Sequence, residues 1–270
     1  MINFNYYANQ ILNKQVLMIN NHPHRIIEIE FYITCQEHPD PFTHKEVDQA
    51  TPDKWYFHKK GGTYKGGTFK GLDITFRPTE VKYGEENPVY GGILIRSVMG
   101  LIDGIIIEGP CRVVDRILAL SSCPHILEFT KRNHNKHLDI DDETSQLYLK
   151  PKTNEYRSIP HYSNPRVGLT LKNPNDISKR MEYIMKNYRY MIYPNVLKKY
   201  RKLIAAKLYN EDVSCYDIMK CMKMTQKQVD AIINIYDSGK DSEFKNYVNK
   251  NMSADELVNL MGLCNESYSL

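Results

Sequence analysis

Apolar positions recur along this chain with two periods, and the changeover falls near residue 194. Phe4, Tyr7, Ala8, Ile11 and Leu12 stand at helical spacing, which predicts a short amphipathic helix at the start. The segments QVLMIN (15–20) and HRIIEIEFYI (24–33) alternate with period two and read as strands, joined by a turn at Asn20-Asn21-His22-Pro23. Further strands are expected at 71–76, 91–98, 104–110, 146–150, 166–171 and 189–194. Between them, CRVVDRILAL (111–120) puts Val113, Val114, Ile117 and Leu118 on one helical face.

After Pro194 only the helical period remains. Thr225-x-x-Gln228 and Ser253-x-x-Glu256 each have the form of a capping box at the start of a helix. The stretch 216–236 reads as helix, short turn, helix, with Ile218, Met219, Met222, Val229, Ile232 and Ile233 facing inward. That spacing suits a helix-turn-helix unit and equally any small helical bundle. The expected organisation is therefore a mixed α+β domain over 1–194, followed by a helical tail over 195–270.

Composition narrows the class. With 270 residues, 41% apolar and 25% charged, the chain can bury a substantial core. No run approaches the ~20 apolar residues of a membrane helix, and the first residues lack the basic and apolar regions of a signal peptide. An intracellular protein without a membrane partner is expected. The six cysteines show no CxxC pairing and read as reduced thiols. The net charge of +4 is modest, but nine Lys or Arg against Glu182 alone lie between Ile177 and Lys207. Such a run fits a nucleic-acid surface or a solvated helix face.

Strand 24–33 carries the most chemistry. Alternation sets Ile27, Ile29 and Phe31 on one face, and Glu28, Glu30 and Tyr32 on the other. Those polar residues suit a solvated sheet face, or carboxylates beneath a cleft where one serves as a general base. Arg96 is the only charge in strand 91–98; it stands at an exposed edge or pairs with a buried carboxylate, for which Glu30 is available. His134-x-x-His137 sits in a polar loop without further Cys or His at ligand spacing, so no metal site is assigned. His44 lies in a proline-rich loop from which it could fold back over the sheet. In 59–76, Gly-Gly-Thr-aromatic-Lys occurs twice in tandem and runs into a strand, not into a P-loop helix. Glycine pairs, Tyr64, Phe69 and Lys60, Lys65 and Lys70 interleave there as nucleic acid requires, or simply form a surface hairpin.

In this order the segments resemble the alkyladenine (3-methyladenine) DNA glycosylase family. The similarity covers roughly residues 8–194: ILNKQVLMINNHPHRIIEIEFYI, DPFTH, GGTYKGGTFKGLDITF, GGILIRSV, EGPCRVVDRILAL, NPRVGLTL and YRYMIY each match a family block, and their collinearity carries the resemblance. It implies a single mixed α+β domain built on a curved antiparallel sheet with flanking helices, plus the C-terminal helical extension. It assigns Glu30 as the general base that activates water against C1′ of a flipped nucleotide. Arg96 and the backbone carbonyl of Val167 would hold that water, and Tyr32, His44 and Tyr64 would sandwich the base. Lys65, Phe69 and Lys70 would meet the DNA. The implied reaction needs no metal, cofactor or covalent lysine, and the implied partner is double-stranded DNA bound by a monomer in the nucleus, cytoplasm or nucleoid.

Two departures bear on specificity. Asp73 stands where the family has an asparagine that clashes with the amino group of guanine, so base preference is expected to differ. The family's intercalating tyrosine falls on Gly66, leaving Phe69 or Tyr64 as substitute wedges. The leading expectation is a monofunctional DNA glycosylase that removes an alkylated or deaminated purine. The alternatives are a non-catalytic binder of modified or deformed DNA on the same fold, and hydrolysis of another nucleoside or modified base.

Overall fold

A computed structural model describes residues 1–84, 86–133, 138–152, 158–172 and 174–267. The fold is mixed α+β, with a curled antiparallel sheet and flanking helices. The chain forms two compact units: Met1–His161 with Tyr190–Ile192, and Tyr162–Arg189 with Tyr193–Leu270. Residues 162–189 thus group with the helices, although the change of period in the sequence falls later.

The first unit opens with α1 (Phe4–Lys14), whose first turn is capped by the Asn3 side chain accepting from the Tyr6 N–H. The helix buries Phe4, Ala8 and Leu12, and Phe4 meets Phe31 of the sheet at a ring separation of 5.1 Å. Strands follow at β1 (Gln15–Ile19), β2 (His22–Cys35), β3 (His38–Pro39), β4 (Trp55–Phe57), β5 (Lys59–Lys60), β6 (Thr63–Tyr64), β7 (Leu72–Thr75), β8 (Tyr90–Gly100), β9 (Ile106–Glu108) and β10 (Leu147–Pro151). Helices α2 (Pro110–Leu120) and α3 (Ile126–Arg132) precede β10. Asn20 and Asn21 form the two-residue β1–β2 turn with φ of 43° and 66°, the left-handed geometry that a tight hairpin demands and asparagine tolerates.

The main sheet runs β10-β1-β2-β8-β7-β4, with β9 on the flank of β8 and β3 on that of β2. Its two ends meet: the indole N–H of Trp55 in β4 donates to the Leu147 carbonyl in β10 at 3.0 Å, which curls the sheet on itself. Inside the curl lie Ile29, Phe31, Ile74, Ile93 and Ile95, all buried. Pairing of β2 with β8 steps twice. Ile26 opposes Val98, Glu28 opposes Ser97 and Ile29 opposes Ile95, so Ile27 is an extra residue in one strand and Arg96 in the other. The Ile27 carbonyl then accepts from the Ile192 N–H at 3.0 Å, and that of Arg96 from the Gly109 N–H at 2.7 Å.

The second unit holds α4 (Ile177–Ile184), α5 (Arg201–Asn210), α6 (Cys215–Met222), α7 (Gln226–Lys240) and α8 (Ala254–Ser267). Both capping boxes form: Thr225 and Gln228 bond reciprocally at the start of α7, as do Ser253 and Glu256 before α8. At Gly239 and Gly262 a side chain would strike the backbone of the opposite helix, so these glycines let α7 and α8 cross closely. The strand expected at 166–171 does not form, because Gly168 takes a left-handed φ of 80° and only Leu171 makes a single bridge, to Val248. The basic run is not one solvated face: Arg189 and Lys207 are buried, Lys207 pairs with Glu211, and Lys202 with Asp255. The exposed positions of α7, Gln226, Lys227, Gln228, Asp230, Ala231, Asn234 and Ser238, carry one cation and one acid. Among the described residues no helix is long and apolar enough to cross a membrane.

Candidate active site on the polar face of the sheet

Residues directly opposed in neighbouring antiparallel strands project to the same face. Glu30 opposes Leu94, Leu94 opposes Asp73, and Asp73 opposes Tyr56, so one row crosses four strands. At ~4.8 Å per strand, Glu30 and Asp73 stand about 10 Å apart on the face away from the apolar core. Two polar clusters form around these two carboxylates.

The first is an ionic group shut from solvent. Arg96 donates from Nε to Glu28 Oε1 and from Nη1 to Glu30 Oε2, each at 3.2 Å. Tyr32 donates its hydroxyl to the same Glu30 Oε2 at 2.8 Å, and Ser97 donates to Glu28 Oε2. Glu30 is 0% exposed and Glu28 2%. Of the two sites open to Arg96 in the sequence, the structure takes the buried one. The bulge that makes Arg96 an extra residue lies beside the carboxylate pair it serves, as bulges that re-aim a side chain do.

The second cluster is assembled by loops. Segment 40–50 folds back over the face, bringing Gln49 Nε2 within 3.3 Å of Asp73 Oδ2. His58, which follows β4 and lies on the same side of the chain as Tyr56, sets its Nε2 2.7 Å from Asp73 Oδ1. The His44 ring meets that of His58 edge to face at 4.8 Å, and Lys65 Nζ lies 3.4 Å from His44 Nε2. Two glycines make room: a Cβ at Gly71 would come within 2.5 Å of the His58 ring, and one at Gly92 within 2.5 Å of Asp73 Oδ2. Desolvation, then His58 and Lys65, push the partly exposed His44 imidazole down to about 4, so it is neutral near pH 7. Desolvation also lowers the Lys65 ammonium, and it raises the Tyr56 phenol.

The structure therefore brings Glu30, Tyr32 and Arg96 into one group, and His44, Lys65 and Asp73 into another. Tyr64 joins neither. It packs on Phe57 at 6.4 Å and borders a cavity of about 480 Å³ with Lys54, Lys59 and Lys131; Phe57 precedes His58 and follows Tyr56, so it projects to the other face. Phe69 is 75% exposed, and Lys70 pairs with Asp115 of α2. Val167 is buried within the second unit. His134 and His137 lie outside the described residues, and among those described no three His, Cys, Asp or Glu gather as a metal site. Sequence reasoning missed His58, Gln49 and Ser97. Alternation in WYFH would have set His58 beside Tyr56; Gln49 left no such signal.

Over 202 residues the chain is 39% identical to an uncharacterized protein of Acanthamoeba polyphaga mimivirus, a match spanning 73% of this chain and 88% of that protein. No protein-family model matches the chain.

Proposed function

We propose, for a chain that belongs to the same family as that mimivirus protein, a DNA glycosylase that extrudes a modified purine nucleotide and hydrolyses its N-glycosidic bond. One observation carries the reading: a buried carboxylate, Glu30, that accepts from both Tyr32 and Arg96 on the polar face it shares with Asp73 and His58. In this chemistry Glu30 takes a proton from water as the oxygen attacks C1′, and the glycosidic electrons leave with the base. Arg96 supplies counter-charge and fixes the carboxylate plane. Tyr32 orients the accepting oxygen and presents its ring to the base. The collinear sequence blocks support the same reading, with duplex DNA as the partner.

Incubation with duplexes carrying hypoxanthine or an alkyladenine, followed by alkaline cleavage of abasic sites, tests it. Wild type should release the base, and Glu30→Gln, compared at a temperature where circular dichroism shows both folded, should be slower by about 10²–10⁴-fold. Base release no faster from wild type than from Glu30→Gln removes the enzymatic reading.

A second reading has its own support. Glu30 is 0% exposed and shares Arg96 with Glu28, an arrangement that also serves as a purely structural ion pair. On that reading the protein binds modified or deformed DNA without cutting it, and the two proteins bind such a duplex equally and release nothing.

A further inference from the structure

The β8–β9 turn exposes Leu101, Ile102 and Ile105 at 45%, 77% and 48%, an unusual load of apolar side chains for five residues of loop. The turn is nonetheless firmly built. Gly100 N–H donates to Ile105 O at 2.9 Å, Gly104 N–H to Gly100 O at 3.0 Å, and Leu101 N–H to Pro23 O at 2.9 Å. Asp103 Oδ1 accepts from Ile105 N–H at 3.0 Å while its Oδ2 accepts from Arg116 of α2 at 2.6 Å. The Phe69 loop is fixed to the same helix, through Lys70 to the adjacent Asp115 and through the Cys111 thiol to Gly67 O at 3.1 Å.

Strand register puts both tips at one end of the sheet. Asp73 opposes Leu94 in the antiparallel β7–β8 pair, so the chain before β7 leaves in the direction in which β8 runs toward Gly100. That end carries Lys60, Lys65, Lys70, Arg112 and Arg116, and its exposed acids Asp48, Asp103 and Asp115 are each paired with a cation, Lys59, Arg116 and Lys70 respectively. Rigid apolar side chains in a cationic surround suit insertion into a base step of a polyanion. A lipid surface is a poorer occupant, because Asp103 would enter hydrocarbon directly beside Ile102.

We propose that the β8–β9 turn, with Ile102 at its tip, is a second insertion element that enters a base step of duplex DNA beside the loop carrying Phe69. The proposal rests on the DNA-binding half of the function above and not on the hydrolytic step. Because the turn is already ordered, insertion costs little conformational entropy.

An Ile102→Trp variant tests it directly, since the native Trp55 is buried and Ile102 is exposed. Binding is followed by anisotropy of a labelled duplex with one mismatched pair, and indole emission and acrylamide accessibility are read in parallel. Insertion predicts quenched emission and protection from acrylamide with DNA, and no response to phosphatidylserine vesicles. Ile102→Ser should weaken binding roughly tenfold without altering the slope of log affinity against log salt, because no phosphate contact is lost. Binding without an indole response overturns the insertion element and leaves DNA recognition standing. A response to vesicles, or to protein concentration alone, overturns it in favour of those surfaces. Failure of the wild type to bind duplex DNA overturns both.

Discussion

The Glu28–Arg96–Glu30 group and the Asp73–His58–His44 group share one sheet face but are made differently. The first comes from neighbouring strands, and backbone pairing holds its members. The second takes Gln49 and His44 from one loop, Lys65 from another and only Asp73 from the middle of the sheet. Strand-borne charges can be shut from solvent because the ladder already fixes their positions. Loop-borne His44 and Lys65 stay partly open, which suits contact with a varying ligand.

Arg96→Met should have the largest effect on that contrast. It removes the guanidinium between two buried carboxylates, and a destabilisation of about 3–5 kcal/mol is expected in urea unfolding. A loss below about 1 kcal/mol would mean that the charges behave as a solvated surface pair and that the group is not closed.

Gly71→Ala acts on the other cluster alone. The new methyl would meet the His58 ring, so the expected cost is about 1–3 kcal/mol, with loss of the His44–His58 ring contact in NMR spectra. Retention of that contact at full stability would show that the loops yield without cost and that Gly71 is not needed for their approach.

The smallest effect belongs to His44. Folded, it sits at about 4, against ~6.5 when unfolded. Between those values the unfolded chain binds more protons, so this contribution is complete above about pH 6.5 and is lost as pH falls toward 4. Solvent screening of the partly exposed ring keeps it small. His44→Gln should flatten this part of the stability profile, and an unchanged slope would remove His44 as its source.

Much of this was legible in the residues. Alternation in RIIEIEFYI separated the apolar face from Glu28, Glu30 and Tyr32, and a lone arginine in an apolar strand pointed to a carboxylate. Asn-Asn gave the hairpin, and both capping boxes gave helix starts. Other features were hidden because they depend on distant chain meeting in space. Nothing local marks Gln49 as a partner of Asp73, or sends Tyr64 to the Phe57 side of β4. The failed strand at 166–171 has a local cause, since apolar alternation there was overridden by one left-handed glycine. The basic run was legible only in part, because composition counts charges but does not reveal that Arg189 and Lys207 are turned inward.

The paired bulges give the β2–β8 ladder something like a reading frame. Ile27 and Arg96 are single insertions on opposite strands, and each restores the phase that the other shifts. Loss of either one alone would rotate a whole half-strand, carrying Glu30 into the apolar interior or Ile29 out of it. Loss of both would leave an unbroken sheet without its arginine. Ladder phase and charged centre are therefore coupled, and passage between a bulged and an unbroken ladder by single-residue deletion runs through a misphased intermediate.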